Sequence, residues 1–322
     1  MPGKMRTPLM GLTLIEPMEG QGPVDMIVHK MTDVVSKMNQ GDIAAKEQYD
    51  RFMSYCRDHP QVILLDRWEH IEKVFDRAVM FDYLRPCIKG QDPLFKIPDS
   101  ITLDSVHLIN QALGRLSFPI MCKRRSACSS TEAHQMTILP SQTYLDSTQK
   151  WTKHYGDTEP LVLQRFIQHD GVIVKIYVAD GQINVSTRPS FINVTPQTGV
   201  IHFDSQMLPK QFEKTVPTSS CPQDVHNVVM SSDTRNVQTQ KEALLDHIRL
   251  QQIATLLQDH LGLTFFGFDV LMESGTNDYY VVDVNYFPSF KNVPHFQSTF
   301  VSILKKNLTS SSIDQCTDID QN

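Results

Sequence analysis

The chain has 322 residues, 40% of them hydrophobic and 20% charged; this is the composition of a folded globular protein, excludes wholesale disorder, and allows two or three packed subdomains. A formal net charge of −6 argues against a general binder of nucleic acid or of an anionic membrane, while leaving room for a local basic pocket that holds a small polyanion. The cysteines Cys56, Cys87, Cys122, Cys128, Cys221 and Cys316 form no CxxC pair and read as reduced thiols. With no apolar run near ~18 residues and no apolar signal segment, they point to the cytoplasm or nucleus.

In chain order, the apolar run Leu9–Ile15 reads as a strand, and a Gly/Pro turn at 19–23 leads into a second one, Val24–Val28. That strand ends on His29-Lys30, which puts a cation at the carboxyl edge of a parallel sheet, where ligands bind in open α/β folds. Helical spacing covers 31–57, Val62–Asp66 is a short strand, and another helix runs through Phe81, a βαβα rhythm that predicts a parallel sheet. Pro86, Pro93 and Pro98 mark a domain boundary. Phe118–Lys123 is a strand that delivers Lys123. The closely spaced segments Leu161–Phe166, Gly171–Val178 and Ile183–Ser186 predict an antiparallel meander. Residues 206–240, rich in Ser, Pro, Gln and Asn, read as a long, partly mobile loop. Lys241–His260 is a helix, Phe265–Met272 and Tyr279–Val284 are strands paired around the turn 274–277, and a last helix covers 294–308 ahead of a disordered tail. The expected divisions are an N-terminal α/β domain over 1–85, a central subdomain over 86–163, a C-terminal subdomain over 164–308 and the tail 309–322.

The segments Phe266-Gly267-Phe268-Asp269-Val270 and Val281-Val282-Asp283-Val284-Asn285 carry the chemistry. Residues two apart on a strand share a face, so Asp283 and Asn285 project together, and Asp269 on the neighbouring strand can meet them. Asp and Asn near strand ends are common turn formers. These three sit inside apolar strands, where an unpaired carboxylate costs several kcal/mol, and together they make a hard-oxygen site suited to Mg²⁺. Cations complete the pattern. Lys123 ends its strand, Lys175 is central in the alternating Val172–Val178, and Arg188 opens Arg188-Pro189-Ser190; fixed point charges of this kind suit phosphate.

These ordered motifs, together with Leu163-Gln164-Arg165-Phe166-Ile167-Gln168-His169, Lys175-Ile176-Tyr177-Val178 and Asp283-Val284-Asn285-Tyr286-Phe287-Pro288, resemble the inositol-tetrakisphosphate 1-kinase family. The resemblance extends upstream through Gln21-Gly22-Pro23-Val24-Asp25, His29-Lys30-Met31-Thr32-Asp33, Leu65-Asp66 and Phe75-Asp76-Arg77, and so covers roughly residues 15–305. It implies an α/β (α+β) ATP-grasp fold, with a truncated N-terminal parallel domain and two antiparallel-sheet subdomains that clamp ATP. It further implies that Arg77, Lys123, Lys175, Ser190 and Ser205 contact the nucleotide, and that Gln164, Phe166 and Ile167 form the hinge strand beside adenine. Asp269, Asp283 and Asn285 would hold two Mg²⁺. Lys30, His134, Arg188 and Ser289 would face soluble inositol polyphosphates, with Lys175 and Asn285 shared, and Lys175, Arg188 and Asp283 would carry direct phosphoryl transfer in a monomer.

Three departures from the family pattern stand out. The family's first strand and helix, with a substrate-binding lysine, are missing, so Leu9–Ile15 corresponds to the second strand. Ala127-Cys128-Ser129 stands where the family has Ala-His-Gly in a loop over the phosphates, and Ser289 stands where it has glycine. A catalytically weakened copy that binds ATP or inositol phosphate as a sensor, and an ATP-grasp carboxylate–amine ligase, are the competing readings.

Overall fold

The computed structural model describes residues 9–126, 131–147, 155–156, 159–210 and 234–317. The chain divides into two compact units, one of residues 1–65 with 307–322 and one of residues 66–306.

In the first unit, strands β1 (Met26–Val28) and β2 (Ile63–Leu65) pair in parallel, joined through helices α1 (Thr32–Asn39) and α2 (Ile43–Asp58). The single helix expected over 31–57 is broken because Gly41 takes φ 89, a left-handed value that glycine adopts without steric penalty. Asp42 then starts α2 as its N-cap, accepting from the Ala45 amide at 3.0 Å. Leu9–Ile15 is not a strand. Its backbone groups are taken by side chains instead of a ladder: Gln21 pairs with the amide and carbonyl of Thr13 at 2.9 and 2.8 Å, and Arg51 donates to the Leu14 and Ile15 carbonyls.

The second unit opens with short helix α3 (Trp68–Ile71) and with α4 (Arg77–Leu84), N-capped by Asp76 through the Ala78 and Val79 amides. A five-stranded antiparallel sheet has the order β3-β6-β4-β5-β9, made of β3 (Ser100–Leu103), β4 (Ile120–Arg124), β5 (Gln135–Leu139), β6 (Leu161–Arg165) and β9 (Ile201–Asp204). One face packs Ile120, Cys122, Leu161 and Leu163 against the short helix α5 (Ile109–Ala112). The other face packs Ile138, Ile201 and Phe203 with Phe166 and Phe191.

A four-stranded antiparallel sheet has the order β11-β10-β7-β8, from β7 (Val172–Ala179), β8 (Gln182–Pro189), β10 (Phe265–Met272) and β11 (Tyr279–Tyr286). Val174, Ile176 and Val178 of β7 and Phe266, Phe268 and Val270 of β10 alternate onto one face. There they meet Leu250, Ile253, Ala254, Leu257 and Leu261, the three-and-four-spaced stripe of helix α7 (His247–Leu261).

The expected meander is therefore corrected: β7 and β8 form a hairpin, but β6 pairs with β3 and β4 in the other sheet. Strands β3, β5 and β9 are additions to the elements read from the sequence. The loop expected over 206–240 is overturned at its end, where α6 (Thr234–Ala243) forms, and the helix expected over 241–260 is broken, with 241–243 closing α6 and the rest starting only at α7, where Asp246 caps it through the Arg249 amide. Helix α8 (Phe296–Thr317) continues through most of the segment expected to be a disordered tail. Cys128, Ser129 and residues 211–233 of the expected loop lie outside the described residues.

Candidate active site

Across the four-stranded sheet, strand register sets three side chains in a row. Lys175 pairs with Asp269, and Asp269 pairs with Asp283. Since the neighbours of Lys175 and Asp269 along each strand face the α7 core, these two project from the opposite face. Asp283 needs a further device. The β10–β11 register shifts between Asp269 and Val270, so that Val270 faces Val281 and Val282 is an extra residue. Val281 and Val284, three apart, both join the α7 core. Strict alternation forbids that, and the bulge makes it possible while returning Asp283 and Asn285 to the site face.

The Lys175 ammonium donates to Asp269 Oδ1 and Oδ2 at 2.7 and 2.6 Å. Burial raises the Asp269 carboxyl above its ordinary value and Asp283 adds to this, whereas Lys175 and Arg188 oppose it. Asn285 Nδ2 donates to Asp283 Oδ2 at 3.0 Å. Asp283 Oδ1 is buried and has no hydrogen-bond partner in the described structure. Arg188 Nη2 donates to Tyr177 Oη at 2.8 Å, and Tyr177 lies two residues beyond Lys175 on the same face of β7.

The five-stranded sheet supplies the second wall. Lys123 on β4 and Gln164 on β6 are diagonal neighbours, and Lys123 Nζ donates to Gln164 Oε1 at 2.9 Å. Burial, with help from the Arg77 charge, lowers Lys123 to about 8 against the pull of Asp283 and Asp269, which ties this lysine electrostatically to the carboxylates of the other sheet. Arg77, 3% exposed, donates from Nη1 to the carbonyls of Arg124 and Ser126 at 2.8 Å each. Its Nε and the Gln164 Nε2 are buried without partners in the described structure. Burial first, and Arg77 second, lower His134, while Asp204 and Asp283 oppose them. His134 Nδ1 lies 3.3 Å from Ser205 Oγ.

Phe166 and Ile167 follow β6 where the chain leaves one sheet for the other. Phe166 donates its amide to the Pro119 carbonyl at 2.9 Å, and Ile167 is 1% exposed against Leu271, Tyr280 and Val282. Ser190 is held through its amide to the Gly171 carbonyl at 2.8 Å and through its hydroxyl to His169 Nε2 at 2.7 Å. Ser289 is exposed, beyond Phe287, which turns the chain at φ 41. Lys30 is exposed just past β1 in the first unit. Tyr177 and His169 were not picked out as site residues from the sequence. The signal for Tyr177 was its position two beyond Lys175; the local pattern around His169, which lies past the end of β6 between Gln168 and Asp170, carries none.

Among the described residues no group of three His, Cys, Asp or Glu side chains forms a metal cluster. The donors here are two carboxylates and one amide, hard oxygens suited to Mg²⁺, and the buried, unpartnered Asp283 Oδ1 fits a cation that would supply its missing contact. An unpaired buried acceptor of this kind costs about 1–3 kcal/mol. A cationic floor, an oxygen triad and hinge residues between two antiparallel sheets are the parts of an ATP-grasp site. No described helix is long and apolar enough to cross a membrane.

Comparison with known proteins bears out this class. Residues 92–306 match the model of the inositol 1,3,4-trisphosphate 5/6-kinase ATP-grasp domain, and residues 6–71 match that of the pre-ATP-grasp domain of the same kinases. The chain belongs to the inositol 1,3,4-trisphosphate 5/6-kinase family of ATP-grasp kinases. Similar curated proteins include an inositol-tetrakisphosphate 1-kinase of Xenopus laevis, 28% identical over 295 residues that cover 88% of this chain and 68% of the relative. Inositol-tetrakisphosphate 1-kinase 1 of Arabidopsis thaliana is 26% identical over 306 residues, 89% of this chain and 84% of the relative. Among solved structures, a RimK-domain ATP-grasp protein from Sphaerobacter thermophilus is 12% identical at a TM-score of 0.47, over 77% of this chain and 72% of that one.

Proposed function

We propose that this chain is a Mg-ATP-dependent inositol polyphosphate kinase, which phosphorylates inositol 1,3,4-trisphosphate at the 5- and 6-positions and inositol 3,4,5,6-tetrakisphosphate at the 1-position. The observation that carries the reading is the lateral row Lys175–Asp269–Asp283, with Asn285 beside it, in a chain of this family. Asp269, Asp283 and Asn285 would hold two magnesium ions, which when bound offset the charge of the β- and γ-phosphates. Lys123 and Lys175 would bind phosphate oxygens as fixed cations, and Ser190 and Ser205 would add contacts to the nucleotide, with Arg77 bracing the end of β4. Gln164, Phe166 and Ile167 line the adenine.

On the acceptor side, Arg188 is held by Tyr177 and keeps the rest of its N–H fork for phosphates on the inositol ring, with His134 and Ser289 as further contacts. The reaction this arrangement supports is direct: an inositol hydroxyl attacks the γ-phosphorus in line, the bond to the ADP oxygen breaks, and no enzyme side chain becomes phosphorylated. Positioning and electrostatics then supply most of the rate.

The test is incubation with Mg-ATP and each inositol phosphate, with products resolved chromatographically. Appearance of a tetrakisphosphate from the trisphosphate supports the reading. Tight ligand binding with no product at high enzyme concentration would assign the chain to a binding role, and turnover with amino acids alone would assign it to the ligases.

A further inference from the structure

One buried titratable group has no part in the chemistry above. His169 is 2% exposed and stands between the hinge residue Ile167 and Ser190. Its Nδ1 lies 2.6 Å from the Ile167 carbonyl oxygen, and its Nε2 lies 2.7 Å from Ser190 Oγ. A carbonyl oxygen only accepts, so Nδ1 must carry the ring proton. Burial pushes this imidazole down to about 4, so at neutral pH it has one proton, already committed. Lys241, whose charge also disfavours a second proton, is 2.8 Å from Asp170 Oδ2 and donates to the Met272 carbonyl. Nε2 is then a bare lone pair, and the Ser190 hydroxyl has to donate to it. Serine has a single O–H; once that is spent, the oxygen can only accept. The serine backbone has little freedom, since it follows Pro189 and its amide is bonded to the Gly171 carbonyl at 2.8 Å.

We propose that His169 is a positioning residue that fixes the Ser190 hydroxyl as an obligate acceptor, so that Ser190 reads a hydrogen-bond donor on the nucleoside and not a phosphate oxygen. This rests on the reading of Ser190 as a nucleotide contact and deepens it. A phosphate oxygen of ATP at neutral pH has no proton to give, and against it Ser190 Oγ would set lone pair against lone pair. The donors that ATP does carry are the two ribose hydroxyls and the 6-amino group of adenine. The same imidazole ties the hinge carbonyl to the end of β8, so the base-side wall and the serine move as one piece.

The experiment measures dissociation constants of the full chain for the magnesium complexes of ATP, 2′-deoxy-ATP, 3′-deoxy-ATP and the 6-deamino analogue. It also records the ¹⁵N spectrum of the His169 ring. The wild type is expected to bind one of the three analogues about fivefold more weakly than ATP, the value of one net hydrogen bond, and that analogue identifies the donor. Ser190→Ala erases the difference. His169→Asn keeps a donor near the Nδ1 position but leaves the hydroxyl proton uncommitted, and so shrinks it. The ring spectrum shows the Nδ1–H tautomer at neutral pH. Equal affinity for ATP and all three analogues overturns the proposal, and so does an Nε2–H tautomer; neither readout depends on the variants folding. Failure to bind ATP at all overturns the nucleotide reading itself, and this proposal with it, whereas ATP binding without discrimination overturns this proposal alone.

Discussion

Lys175 and Asp269 are cross-strand partners in which one ammonium spans both oxygens of one carboxylate, with the two side chains only 24% and 14% exposed. Burial drives Asp269 toward protonation, and Lys175 is the largest influence keeping it charged. Under the proposed function Lys175 would therefore have two tasks, holding phosphate and keeping the proposed metal ligand Asp269 ionised. Lys175→Met should weaken ATP and inositol phosphate together, each by at least about tenfold, and lower kcat/KM by about a hundredfold or more. Calorimetric titration with each ligand, alongside steady-state kinetics, measures both. If neither affinity moves, Lys175 does not belong to the site.

Asp283 has a different signature. Its Oδ1 is buried without a partner, so the folded protein carries a cost there that the proposed metal contact would offset. Asp283→Asn should leave Tm unchanged or raise it by a few degrees, on the order of 1 kcal/mol, while reducing turnover by about a thousandfold or more. Thermal melts and product assays on the same preparation decide it. A destabilised variant that keeps its activity would mean that Asp283 is structural.

Gly267 sits between the two pairs, opposite Tyr177 on one side and Asn285 on the other. A Cβ there would lie 3.1 Å from the Ile176 carbonyl oxygen and 3.1 Å from Pro288 Cγ. The carbonyl belongs to a ladder and cannot move freely, so the Phe287–Ser289 segment has to shift. Gly267→Ala should cost about 1–2 kcal/mol of stability and raise KM for the inositol phosphate more than for ATP. Equal effects on both KM values would refute the assignment of that segment to the acceptor.

As the proposed phosphate contact, Lys123 would give the nucleotide site a pH limit. Burial lowers it to about 8, so it is charged below that pH and neutral above it. Polyphosphate binds the charged form. ATP affinity should therefore hold steady below pH 8 and fall as pH rises through and beyond it, by up to about tenfold per unit. Lys123→Met should bind ATP weakly with a flat profile. A wild-type profile flat through pH 9 would show that Lys123 does not meet the phosphates.

His169 sets a limit on the acid side. Folded, it titrates at about 4 against an ordinary 6.5, because burial penalises the imidazolium. Between those values the unfolded chain takes up a proton that the folded one refuses. Stability is thus complete above pH 6.5 and declines as pH falls toward 4, by about 3 kcal/mol in all. Urea melts of wild type and His169→Asn across this window should show the slope in the first and its reduction in the second.

The central strands could be read before any fold was known. Apolar alternation broken by Lys175, and by Asp269, Asp283 and Asn285 in apolar surroundings, marked both the strands and the face that carries chemistry. What local pattern does not contain is the identity of a strand's neighbour. Leu161–Arg165 opens on an apolar run that marks it as a strand, yet its partners are β3 and β4, one of them some sixty residues upstream. Strand β9 alternates cleanly but over only four residues, and β5 lacks a marked pattern; Ile138, Ile201 and Phe203 of these strands complete their cluster with Phe166 and Phe191 from other segments. His169 escaped notice because its role depends on a hydroxyl 21 positions away.

The irregularity at Val282 also decides where this chain can change in length. Removing that one residue would restore even phase along β11: Val281 and Val284 would stand two apart on the core face, and Asp283 and Asn285 would keep the other face. Removing Val284 instead would put Asn285 on the face opposite Asp283 and steer the amide into an oily interior. Residues added at the tip of the hairpin, Ser274–Asn277, where Asn277 and Gly275 already adopt positive φ, lie outside that count and leave the phase intact. Indel variants should sort accordingly: harmless at the tip, tolerated at Val282, and ruinous between Asp283 and Asn285.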